Sequence, residues 1–191
     1  MQARTTGAPG PLQELIAHPA GAAGPVDGIT VSAFRPEPLI LALDYVLSGD
    51  LFRVLVPGPK APDRADDLWR HTCFEAFIRT GAGPGYHEVN LSPSGEWAVY
   101  GFDGYREGRT SPVGVASQSV LRASDDDHLA LTAILRLDGI DPAVRWSVGL
   151  SAVVEDADGG MSYWALAHPS DKPDFHHSDS FVLTLPPPEP A

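Results

Sequence analysis

The sequence predicts an all-β fold, an antiparallel β-sandwich of about ten to eleven strands. Three observations point there. The 191 residues include 19 glycines and 19 prolines, a turn-rich composition. Apolar residues recur with period two over short segments, as in Leu129, Leu131, Ala133 and Leu135. Those segments are bounded by Gly, Pro, Asp or Ser, and hardly any stretch has the period of a helix. With 43% hydrophobic and 20% charged residues, the chain can bury a core and is not a disordered segment.

In chain order, residues 1–11 read as a flexible N-terminus, 12–185 as one domain and 186–191 as a proline-rich tail that must be extended. Leu12 to Ile16 reads as a short helical or extended turn. Strands are expected over 28–34, 39–47, 51–56, 72–79, 86–91, 96–102, 115–121, 128–137, 145–155, 162–167 and 181–185. Ser92-Pro93-Ser94-Gly95 has proline second and glycine fourth, which suits a type I turn between two strands. Asp156 to Gly160 closes a second hairpin. One stretch competes with strand, a helical turn at Asp66 to Trp69. The run Asp125-Asp126-Asp127 is a solvated turn ahead of the strand at His128.

A net charge of −12 and the absence of any basic run exclude partners held by phosphate neutralisation, so neither nucleic acid nor an anionic membrane surface is expected. Cys73 is the lone cysteine and cannot form an internal disulfide; beside Phe74 and Phe77 it reads as a small buried hydrophobe. Met1 to Gly10 lacks the apolar stretch of a signal peptide, and no run of membrane-spanning length occurs, so a cytoplasmic location is expected.

Strand alternation exposes one unusual face. Glu75 shares a side with Cys73 and Phe77, while Tyr86, Glu88 and Asn90 share a side opposite His87, Val89 and Leu91. A carboxyl between apolar neighbours is costly to bury unless it is hydrogen-bonded or paired. If the two strands are neighbours, both acids face one partly polar surface. Trp69, Trp97, Trp164, Tyr86, Tyr100 and Tyr163 supply flat aromatic surface nearby, which together with carboxylates and an amide suits a sugar-like ligand. The segment from His168 to His177 is the densest polar cluster. His168, Asp174, His176 and His177 are of metal-ligand type, but neither an HExxH motif nor paired cysteines accompany them. No G-x-S-x-G elbow occurs, and the glycines at 81–85 lack the lysine of a phosphate loop. A hydrolase using Glu75 and Glu88 as a carboxylate pair is conceivable, since that chemistry needs two acids at a set separation.

Three stretches carry a family resemblance: Leu68-Trp69-Arg70-His71-Thr72-Cys73-Phe74-Glu75-Ala76-Phe77, then Tyr86 to Tyr100, then Phe102-Asp103-Gly104-Tyr105-Arg106. With Ser162-Tyr163-Trp164-Ala165-Leu166-Ala167-His168-Pro169 and the continuation to His176, they resemble the bacterial DOMON-like family over roughly residues 12 to 185. The resemblance implies a β-sandwich similar to DOMON domains and to family 9 carbohydrate-binding modules, whose members bind sugars or haem, mostly without catalysis. Haem-binding relatives use an axial methionine. Here Met161 is the one methionine besides Met1, and Arg109 stands where this subfamily leads one to expect another.

The sequence therefore reads as a non-catalytic domain binding a small, sugar-like ligand. Its expected ligand-binding residues are Trp69, Glu75, Tyr86, Glu88, Asn90, Trp97, Trp164, His168, Asp174 and His176. No catalytic residue, metal ligand or cofactor is assigned. A haem-binding DOMON-type domain, a metal- or carboxylate-dependent glycoside hydrolase and a module with a protein partner are the alternatives.

Overall fold

Alternating sequence produces alternating burial. In the strand His128–Leu137, Leu129, Leu131, Ala133, Leu135 and Leu137 are fully enclosed while the intervening residues are partly or wholly exposed. A computed structural model describes residues 10–21, 24–111 and 115–189, with the backbone alone over 115–122. Its strands are β1 (Gln13–Ala17), β2 (Val26–Glu37), β3 (Ile40–Gly49), β4 (Cys73–Thr80), β5 (Tyr86–Leu91), β6 (Trp97–Phe102), β7 (Val115–Ser124), β8 (His128–Leu137), β9 (Trp146–Glu155), β10 (Met161–Ala165) and β11 (Leu183–Leu185). Every pairing is antiparallel.

Hydrogen bonding runs in the order β6-β5-β4-β9-β10-β1-β2-β3-β8-β7, with β11 added to β9. The path folds on itself at β1. Ile16 and Ala17 pair with β10, whereas Gln13, Glu14 and Leu15 pair with β2. Two layers result, one from β4, β5, β6, β9, β10 and β11 and the other from β2, β3, β7 and β8. Between them lies the main core: Ile29, Val31, Leu41, Leu43, Tyr45, Leu129 and Leu131 from one layer, Phe74, Ala76, Ile78, Val89, Leu91, Val148 and Leu150 from the other. The Tyr45 hydroxyl donates to the Glu75 carbonyl at 2.7 Å, so its polar tip is satisfied inside this core.

Two expectations change. Residues 51–56 do not form a strand; Leu51–Arg53 is a 3-10 turn, followed by an isolated bridge from Val54 to Asp156. The N–H groups of Gly49, Asp50 and Leu51 are taken by the carbonyls of Asp127, Pro25 and Asp126, which turns the chain out of the sheet before a ladder can start. Leu12 to Ile16, read as a short helical or extended turn, takes the extended form within the strand Gln13–Ala17, which joins the layers. The expected hairpins are present: Gly95 N–H donates to the Ser92 carbonyl at 3.0 Å, and Asp156 Oδ1 accepts from Asp158 and Gly160 N–H. Asp125 Oδ1 likewise accepts from the N–H groups of Asp127 and His128 in the β7–β8 turn. No helix among the described residues is long and apolar enough to cross a membrane.

The β4–β5–β6–β9 layer also buries its outer face. Phe77, Tyr86, Ala98, Tyr100, Phe102, Val153 and Ala165 form a second apolar cluster with Phe175 and Phe181 from the segment between β10 and β11. Gly149 on β9 makes this cover possible, because a Cβ there would stand 2.9 Å from the Phe181 ring and 3.2 Å from the Ser180 carbonyl.

Candidate functional site

Register decides what shares the outer face. Glu75 lies opposite Asn90 on β5 and Ser151 on β9, and Phe77 lies opposite Glu88 and Gly149. Across the next ladder, Asn90 faces Ala98, Glu88 faces Tyr100 and Tyr86 faces Phe102. A polar row of Asn90, Glu75 and Ser151 thus crosses three strands, flanked by the small residues Ala98 and Ala165. Above it opens a cleft of about 500 Å³, lined by Glu75, Glu88, Trp69, Arg106, Phe175 and His176 and completed by Phe77, Phe102, Arg109, Val153, Tyr163 and Pro173.

The acids are almost wholly enclosed, with Glu75 at 3% and Glu88 at 6% exposure. Asn90 Nδ2 donates to Glu88 Oε1 at 2.7 Å, and Ser151 Oγ donates to Glu75 Oε2 at 3.3 Å. Burial, then the neighbouring charge of Glu88, pushes the Glu75 carboxyl well above the ordinary range. Burial also raises Glu88, but the Asn90 hydrogen bond and the arginines Arg106 and Arg109 oppose it. In both residues burial is the leading cause and favours the neutral carboxyl.

His176 crosses above them. Tyr86 hydroxyl accepts the Arg106 backbone N–H at 3.1 Å and lies 2.7 Å from His176 Nδ1. Directing the phenolic proton to Nδ1 leaves the imidazole proton on Nε2, which faces Glu88 Oε2 at 3.7 Å. Burial and the nearby Arg106 lower the imidazole to about 4, so it is a neutral group at physiological pH. Asp174 stands behind: its carboxylate accepts from Tyr105 hydroxyl at 2.8 Å, from Arg106 at 3.0 Å and from the His176 backbone N–H at 3.2 Å. Among the described residues, the two non-glycine residues with left-handed backbone are Asp67 (φ 62°) and Arg106 (φ 57°). Both lie in loops that rim this cleft, where strained backbone commonly serves to aim side chains.

Of the residues named from sequence, Trp69, Glu75, Glu88 and His176 line the cleft together. Tyr86, Asn90 and Asp174 support them from behind. Trp97 and Trp164, expected to offer stacking surface, instead pack against the core between the layers, since they occupy the alternate positions of β6 and β10. His168 is tied elsewhere, with Nε2 2.7 Å from the Ile16 carbonyl and its ring edge-on to His18 at 4.7 Å. His177 Nδ1 accepts from the Asp179 N–H. Among the described residues no three His, Cys, Asp or Glu side chains converge as a metal site. Phe77, Phe102, Val153, Arg106 and Phe175 were not singled out as site residues. Continuing the alternation past Glu75 and Tyr100 identifies Phe77 and Phe102, and pairing in β9 identifies Val153. Nothing local marks Arg106 or Phe175, which reach the cleft from loops.

The arrangement offers two buried carboxyls, an imidazole N–H and two guanidinium groups on a wall of Trp69, Phe175 and Tyr163. Donors, acceptors and aromatic faces share one half-enclosed cleft, a combination suited to a ligand with several hydroxyls and an apolar face.

No family model matches the chain, and no curated protein matches it in sequence. In structure it is similar to the crystal structure of a putative carbohydrate-binding protein from Bacteroides uniformis ATCC 8492, with a TM-score of 0.60 at 13% sequence identity over 92% of this chain and 85% of that chain. At that identity the likeness establishes the all-β fold alone.

Proposed function

We propose that this chain is a non-catalytic, DOMON-like domain that binds a carbohydrate or sugar-containing ligand in the cleft above Glu75 and Glu88. The observation that carries the reading is the meeting of two buried carboxyls with His176, Arg106 and Arg109 against the Trp69 and Phe175 side chains. The Glu88–His176 separation of 3.7 Å is longer than a hydrogen bond, and a ligand hydroxyl can bridge it. The description of the structural neighbour as a putative carbohydrate-binding protein agrees with the reading.

A thermal-unfolding screen against mono- and oligosaccharides and sugar nucleotides tests it. Ligand at about a hundred times its dissociation constant adds roughly 2.7 kcal/mol, a rise of about 5–10 °C for a chain of this size. A selective rise that disappears in Glu88→Ala, with that variant still folded, is the expected outcome; no rise with any sugar rejects the reading.

The carboxyl pair itself favours one second reading, glycoside hydrolysis. Glu75, holding its proton, would protonate the leaving oxygen, and Glu88 would act as nucleophile or base. Release of 4-nitrophenol from a nitrophenyl glycoside, lost in Glu75→Gln, would replace the binding reading by this one.

A further inference from the structure

A second cavity, of about 610 Å³, lies beyond His176, and this histidine belongs to the walls of both spaces. The imidazole meets Phe77, Tyr86 and Phe102 edge-on at 5.0, 5.8 and 5.3 Å, and the Tyr86 hydroxyl fixes its rotation. Tyr105 lines the second cavity and Arg106 lines the cleft, and both bind Asp174. The partition is a built feature: Tyr86 holds the ring at Nδ1, and the His176 backbone N–H donates to Asp174 at 3.2 Å.

The two spaces differ in chemistry. Glu75, Glu88, Arg106 and Arg109 line the cleft. In the second cavity Arg79 is the one Asp, Glu, Lys or Arg, beside Tyr86, Tyr105, Phe181 and Pro84. The Arg79 guanidinium lies 5.6 Å over the Phe181 ring, so even this charge is set against an aromatic face. The wall at Gly83 is low, since a Cβ there meets nothing within 4 Å. Aromatic faces, a proline and a cation around an open slot suit a rigid planar ring rather than a polyhydroxyl one.

We propose that this second cavity is a subsite for a planar aromatic group, so that the ligand joins a sugar ring in the cleft to an aromatic substituent on the far side of His176. The sugar half rests on the function proposed above; the aromatic half rests on the second cavity alone.

Isothermal titration with matched methyl and phenyl glycosides of a panel of sugars tests the pair of subsites, with phenol as a probe of the second alone. The phenyl glycoside is expected to bind at least tenfold more tightly than its methyl partner, about 1.4 kcal/mol. Phe181→Ala removes part of the wall but also cover from the sheet. Gly83→Trp is the cleaner variant, because Gly83 lines the cavity, its backbone is not left-handed and a Cβ there meets nothing within 4 Å. It should bring the two glycosides within twofold of each other and leave the methyl glycoside's affinity unchanged. Equal affinities in the unsubstituted protein overturn the aromatic subsite and leave the sugar cleft standing. If no methyl glycoside binds, saturable phenol binding lost in Gly83→Trp upholds the subsite and counts against the sugar reading. Failure of phenol as well overturns both.

Discussion

Glu75 concentrates the physics of this molecule. It sits at 3% exposure, its carboxyl accepting a hydrogen bond from Ser151 with a second carboxyl nearby. Because its folded pKa lies above the unfolded value, the native state binds more protons than the unfolded one between those two values. Stability at this residue is then complete below the unfolded pKa and declines as pH rises toward the folded one. Glu75→Gln removes that decline. The variant and the parent should melt together near pH 4 and diverge toward pH 8, with the variant higher by several degrees, since one pK unit is about 1.4 kcal/mol and 1 kcal/mol is about 2–4 °C at this size. Parallel melting profiles over that range would show that Glu75 ionises freely in the fold. At this scale much of the site was legible: an acid between Cys73 and Phe77 announced itself, and Glu88 followed from strand parity. The tryptophans were not separated, although parity held the information. Leu91 pairs with Trp97 and Asn90 with Ala98, so Trp97 turns inward with Leu91 while Tyr100 turns outward with Glu88.

At the scale of elements, the segment between β10 and β11 does what no strand does, covering the outer face of the sheet with Phe175 and Phe181 and bringing His176 over the carboxyls. Its docking depends on Gly149. Gly149→Ala places a methyl group 2.9 Å from the Phe181 ring, and the cover must shift. Overpacking of this kind costs about 1–3 kcal/mol. A fall of several degrees in melting temperature is expected, with weaker sugar binding, and hydrogen exchange should rise at His176 to Val182 while β3 and β8 stay protected. Uniform loss of protection across both layers would contradict a locally docked cover. Strands with strong alternation were legible to their ends, as in Tyr86–Leu91 and His128–Leu137. Gln13–Ala17 was harder to read because its extended form is imposed by β2 and β10, far away in sequence, and not by its Ala-, Gly- and Pro-rich surroundings. The reverse holds for 51–56, apolar enough for a strand but opened by the 3-10 turn Leu51–Arg53, which leaves one bridge, Val54 to Asp156, and one further bond, Leu55 N–H to the Glu155 carbonyl.

Over the whole molecule, one sheet serves two purposes. Its inner face closes the sandwich against β2, β3 and β8, and its outer face carries the polar row and the two cavities. Inner core and outer cleft therefore draw on alternate residues of the same strands, so under the proposed function substitutions a single position apart should separate stability from binding. Two tryptophans on different elements give the same contrast: Trp69, in the turn Leu68–Arg70, lines the cleft edge-on to Tyr100 at 6.0 Å, and Trp97, on β6, packs on the inner core. Isothermal titration of the sugar found by thermal screening, against the parent, Trp69→Ala and Trp97→Ala, is the deciding measurement. Trp69→Ala should weaken binding at least tenfold with little change in melting temperature. Trp97→Ala should melt earlier and keep its affinity within about twofold. Affinity lost in Trp97→Ala and retained in Trp69→Ala would place the ligand away from the outer face and contradict the site.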